Sequence, residues 1–173
     1  MADALTLSLF AVGMVSIFSS VLACILRDAS IADLFWPIYH ALAAATYLSL
    51  AFAAETSALA IVFAVLICIW ASRLFLHLFF RRLGQEEDHR YAAIRAKNQE
   101  NFWWQSFFTI FLMQSSLAWL ICAPFSYVIL SAQSFSALHG LGLLVMACGL
   151  IYEWIADEQL KNYLRRDSVS YTH

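Results

Sequence analysis

The sequence predicts an all-α, polytopic membrane protein: a helical bundle of about five transmembrane helices in a single membrane domain over residues 1–173. Of the 173 residues, 62% are hydrophobic and 13% are charged, about half the charge of an ordinary soluble domain. Mean hydropathy is correspondingly high, at +0.72. Uncharged stretches long enough to cross a hydrocarbon core of ~30 Å recur along the chain.

The first stretch runs from Ala4 to Leu26 without a charge. It is read as a retained helix rather than a secretory signal, because Asp3 precedes it and no basic residue does. After Arg27 and Asp28, a second span is placed at 33–54, with Pro37 tolerated in its first turns. The third span, 58–80, contains one charge, Arg73, and ends at Arg81 and Arg82. From Asn101 to Tyr152 there is no Asp, Glu, Lys or Arg. That is too long for one crossing, so the chain is expected to fold back near Pro124 and the polar run Ser131–Ser134. This gives spans at 103–126 and 137–160, with a loop at 81–101 between the third and fourth.

Five crossings put the connection at 27–32, the 81–101 loop and the C-terminal tail on one side. That side carries nine of the ten Lys and Arg residues, and the tenth is Arg73. The positive-inside rule then places the N-terminus outside and the C-terminus in the cytoplasm. The predicted setting is an integral membrane protein, read as one of a bacterial inner membrane, with the lipid bilayer as its first partner.

Several chemistries find no support. A net charge of -2 without a basic, aromatic stripe gives no reason to expect nucleic acid. The four cysteines, all in apolar stretches, form no CxxC pair, and the five histidines show no metal-ligand spacing, so no metal is expected. The five glycines form no phosphate loop, and no serine sits in a GxSxG elbow. Oligomeric state is not specified.

The polar residues within or beside the spans are the candidates for chemistry, since a charge at mid-bilayer costs at least ~2.5–3.5 kcal/mol. Arg73 shares a helix face with Trp70 and His77. It either serves a polar site or snorkels to the interface. Asp33, Trp36 and His40 lie near one face, where Asp33 is either functional or simply the N-cap of its helix. Glu153, Asp157 and Lys161 repeat every fourth residue, which suits a polar face or an exit turn with an Asp157–Lys161 ion pair. Gln114 is an uncharged polar group at mid-span, able to hydrogen-bond between helices.

Several runs resemble one family: Ser30 to Trp36; Trp70 to Leu74; Glu87-Asp88-His89-Arg90-Tyr91 with Arg95; Phe102-Trp103-Trp104 with Gln114 and Pro124; and Tyr152 to Leu160. In this order they resemble bacterial members of the steroid 5α-reductase-like superfamily, in a branch labelled a domain of unknown function. The resemblance implies a membrane reductase that takes hydride from NADPH, bound from the cytoplasmic side. The hydride would go to a carbon–carbon double bond conjugated with a carbonyl, in an apolar small-molecule substrate of lipid, isoprenoid or steroid-like type. It further implies Asp33, Trp70 and Arg73 as catalytic positions and Arg73, Arg90, Tyr91, Glu153 and Asp157 as cofactor-binding ones. The arginines would face cofactor phosphates and the carboxylates the ribose or amide groups. Trp70 stands where the steroid enzymes use a tyrosine hydroxyl, an acid that indole cannot replace.

The superfamily is also similar to isoprenylcysteine carboxyl methyltransferases, so an S-adenosylmethionine-dependent enzyme is the competing expectation. A third is a non-catalytic integral membrane protein. Its motive is that similar proteins continue into an Arg-His-Pro-Asn-Tyr segment where this chain stops at Ser170-Tyr171-Thr172-His173, as a fragment or truncated reading frame would.

Overall fold

The computed structural model describes residues 1–53, 56–98, 100–131 and 135–170, the last seven by backbone alone. Among these residues every regular element is helical. They are α1 (Ala2–Leu26), a 3₁₀ turn (Ala29–Ile31), α2 (Ala32–Phe52), α3 (Ala58–Arg82), α4 (His89–Lys97), α5 (Phe102–Ser106), a π-helical turn (Phe107–Leu112), α6 (Met113–Leu130) and α7 (Ala137–Ser170). Five segments are long and apolar enough to cross a membrane: Ala2–Leu26, Ala29–Phe52, Ala58–Arg82, Phe102–Leu130 and Ala137–Tyr163. The architecture is that of an all-α integral membrane protein.

The chain divides into two compact units, Met1–Gln133 and Ser134–His173. In the first, α2 packs against α1, α3 and α6, while α6 also packs on α1 and α3. Its interior is built from small residues. On α1 the buried positions are Ala4, Ser8, Val12, Ser16, Ser19 and Ala23, spaced so that one narrow stripe meets the neighbouring helices. Large side chains such as Phe10, Met14 and Phe18 point outward. Lipid tails are as apolar as leucine, so burying leucine gains little; close backbone approach and interhelical hydrogen bonds hold such helices together. Here Ser8 and Ser19 of α1 meet the hydroxyls of Tyr47 and Tyr39 of α2 at 3.0 and 2.9 Å. Trp119 Nε1 donates to Leu5 O and to Ser8 Oγ, both at 3.1 Å.

The second unit is the single helix α7, 34 residues long. At ~1.5 Å per residue it exceeds the hydrocarbon core, which is why it runs ten residues beyond the expected limit of 160. Lys161 Nζ lies 3.7 Å from Glu158, one turn back on the same helix.

Other boundaries shift for identifiable reasons. The predicted span 33–54 ends at Phe52, and Ala54 lies outside the described residues. Pro124 does not turn the chain but sits inside α6, which runs to Leu130; a membrane helix tolerates the lost N–H when neighbouring groups compensate. The expected turn at Ser131–Ser134 falls after that end, with 132–134 outside the described residues. The 81–101 connection is not an irregular loop, because Asp88 caps a helix within it, accepting from Arg90 N.

Candidate functional site

Most charged residues of the first unit gather at one end of the bundle, where α1 stops, α2 begins, α3 stops and α4 follows. Arg27, at the C-cap of α1, adopts a left-handed conformation with φ 57°, an arrangement disfavoured for a side chain with a Cβ. Side chains from the 82–95 segment fasten it. Arg95 Nη1 donates to Arg27 O at 2.9 Å, and its Nη2 lies 2.7 Å from Glu87 Oε2. Glu87 Oε1 accepts from Ala29 N at 2.8 Å, and this carboxylate is only 8% exposed.

Asp28 and Ser30 make the next layer. Asp28, not Asp33, caps the entry into the second span, accepting from Ser30 N and Ser30 Oγ at 3.0 and 2.6 Å. Arg82 at the end of α3 pairs with Asp28 and donates to Ser30 Oγ. The same hydroxyl accepts from Asp88 N at 3.2 Å.

Asp33 is one turn inward. Its Oδ1 accepts from the Tyr91 hydroxyl at 2.6 Å and its Oδ2 from Arg90 Nη2 at 3.2 Å. Its structural alternative, a helix N-cap, is therefore not its role: the N-cap position of α2 is Ile31, without a side-chain cap. Tyr91 is buried with Phe102, Ile110 and Phe111. Burial, and next the Asp33 carboxylate beside it, push its phenol pKa up, so the hydroxyl stays a donor at neutral pH. Arg90 also grips Asp88, its Nε and Nη2 both 3.0 Å from the carboxylate. That side-chain hydrogen bonding, followed by the bond from Arg90 N, holds Asp88 down to about 2 and raises Arg90 in turn.

Beside this knot is a cleft of about 520 Å³, lined among others by Ser30, Asp33, Leu78, Arg81, Glu86 and His89. One turn further along α2 and α3, Pro37, Ala41, Ala71 and Phe75 line an apolar groove of about 440 Å³. The polar cleft and the apolar groove are separate cavities, each within the ~300–1,000 Å³ range of small-molecule sites.

Of the residues singled out in the sequence, Asp33, Arg90 and Tyr91 come together. Trp70 packs edge-on to His40 at 5.1 Å between ring centroids, and His40 meets Trp36 at 4.8 Å. That contact joins the aromatic stripes of α2 and α3. Arg73 and His77 are half-buried further along the α3 stripe. Glu153 and Asp157 lie one turn apart on α7, in the second unit. Missed as site residues were Glu87, Arg95, Ser30 and Asp28. Their signal was the confinement of charge to two runs, 27–33 and 81–97, that had to meet if the spans were antiparallel.

The family described as "Protein of unknown function (DUF1295)" matches residues 20–171. Neither the curated proteins nor the solved structures give a match.

Proposed function

We propose, for a chain that belongs to the DUF1295 family, that it is a membrane reductase acting on a conjugated carbon–carbon double bond in an apolar substrate. Asp33 and Tyr91 would form the polar centre of its site. The observation that carries this reading is the 2.6 Å hydrogen bond between them, with Asp33 lining a polar cleft and an apolar groove one turn further along α2 and α3. The basic end of the bundle is read as cytoplasmic, with the N-terminus outside, as the distribution of Lys and Arg supports.

When bound, NADPH would supply the hydride that such a reduction requires. Two side chains of the cleft would hold a dinucleotide, in a lining that carries four carboxylates, Asp33, Glu86, Glu87 and Asp88. Exposed Arg81 makes no ion pair among the described residues and would take a phosphate as its counter-ion, while the Glu86 carboxylate suits ribose hydroxyls. Arg90 is already neutralised by Asp33 and Asp88, so Arg81 is the better-placed phosphate ligand.

The chain's own residues would stabilise charge and hold the substrate. As charge develops on the substrate's carbonyl oxygen, the Tyr91 hydroxyl swings its hydrogen from Asp33 to that oxygen and stabilises it. A phenol with a raised pKa donates a hydrogen bond readily but gives up its proton reluctantly. The proton for the second carbon therefore comes from water in the open cleft. Asp33 and Arg90 hold Tyr91 in place, and the α2–α3 groove takes the apolar body of the substrate.

The test is heat stability of the protein in lipid nanodiscs. Ligand at a hundredfold excess over Kd stabilises by about 2.7 kcal/mol, so added NADPH raises the midpoint on this reading. A shift with S-adenosylmethionine instead replaces it with the methyltransferase, and no shift with either leaves a non-catalytic membrane protein.

A further inference from the structure

Gln114 enters α6 directly after the π-helical turn Phe107–Leu112. One extra residue in a turn rotates the rest of the helix by about 100° relative to an unbroken α-helix. The rotation brings the Gln114 carboxamide beside the Tyr91 hydroxyl, within the cluster where Tyr91, Ile110 and Phe111 are buried together. π-Turns inside α-helices occur often at functional sites.

The hydrogen bonds here have a direction. Tyr91 gives its only hydrogen to Asp33, so toward Gln114 its oxygen can only accept. An amide N–H of Gln114 directed at that oxygen leaves the carbonyl end turned away from Tyr91. That oxygen, Oε1, is fully buried and has no hydrogen-bond partner among the described residues. A buried acceptor without a donor is costly and rare.

We propose that Gln114 is a substrate-binding residue whose Oε1 accepts a hydrogen bond from a hydroxyl or amide N–H of the ligand. This deepens the reductase reading and rests on it for the identity of the ligand as substrate: the substrate is an apolar molecule with a donor group near its conjugated carbonyl. With ligand bound, the relay would run from ligand O–H to Gln114 Oε1 and, through the neighbouring Tyr91 hydroxyl, to Asp33, to which Tyr91 already donates. Truncating Gln114 should thus remove recognition of the donor without loosening the fold.

The probes are a long-chain hydroxyalkenal and its O-methyl ether, added to the full chain in lipid nanodiscs and followed by heat stability. Wild type should bind the alcohol at least tenfold more tightly than the ether. Gln114→Leu, with Gln114→Met as a second variant of similar volume, should bind both alike and, without ligand, melt no lower than wild type. Equal binding of the two probes by wild type, or no binding of either, overturns the proposal, as does a variant that melts several degrees lower yet keeps the discrimination. If wild type discriminates the probes but reduces neither with NADPH, the binding role stands and the reductase reading fails.

Discussion

Tyr91 of α4 donates its hydroxyl hydrogen to Asp33 of α2 across 2.6 Å, tying a short helix outside the spans to the mouth of one of them. The two residues are 58 positions apart, and the bond is made at the end of the bundle where nearly every charge of the first unit collects. Tyr91→Phe keeps the buried ring and removes the hydroxyl that makes this bond. Hydrogen bonds to charged groups contribute about 1.5–3 kcal/mol; with the Asp33 side chain 26% exposed, water recovers part of it. Denaturation in detergent should show a loss toward the lower end of that range.

Asp88 makes stability depend on pH in acid. Its pKa falls from the usual 3.8 to about 2 in the folded chain. A depressed folded pKa contributes stability that is complete above 3.8 and is lost as pH drops through about 2. Asn can still cap α4, so Asp88→Asn isolates the charge. The variant should be less stable than wild type at neutral pH, with the gap narrowing between pH 4 and 2. A gap independent of pH would contradict the role given to the Arg90–Asp88 pair.

Glu87 should matter more than its place in a polar connection suggests. Glu87→Ala strands the Ala29 N–H, at a cost of roughly 1–3 kcal/mol, and removes the carboxylate that holds Arg95 in place against Arg27 O. Glu87→Gln keeps an acceptor for Ala29 and should cost less. Because the Arg95 side chain is 38% exposed, its own loss of a partner adds little. Thermal midpoints in detergent should rank wild type, then the Gln variant, then the Ala variant.

The small-residue stripe of α1 makes a fourth stability test. Ser19→Ala removes one hydrogen bond to Tyr39, worth on average about 0.6 kcal/mol inside a membrane protein. Ser19→Leu forces a larger side chain against α2, where overpacking costs about 1–3 kcal/mol. The leucine variant should therefore be clearly the worse in an unfolding titration, although it is the more apolar.

The spans were legible because lipid tolerates so few charges: runs such as 4–26 and 101–152 declare themselves. Less legible was everything set by packing. The Ala and Ser positions of α1 recur at helical spacing, but a hydropathy reading sees an apolar run and not which face is inward. Helix α4 was hidden because its residues are polar on all sides but one; only Asp88 as a cap and Tyr91 as an inward residue mark it. Asp33, Arg90 and Tyr91 were reached through family resemblance, and the structure adds the reason they belong together. The π-turn ahead of Gln114 had no sequence signature, since Phe-Phe-Thr-Ile-Phe-Leu suits an α-helix as well. Which carboxylates are buried could not be read from charge alone, and so Glu87 was passed over.

The most direct measurement is transfer of deuterium from NADPH, labelled at its transferable position, to a conjugated long-chain enone by the protein in lipid nanodiscs. The account predicts label on the carbon beta to the carbonyl with wild type, and a rate about 100-fold lower in Tyr91→Phe, the loss expected for one oxyanion donor. An unlabelled product pool with wild type, or undiminished transfer by the Phe variant, would contradict it.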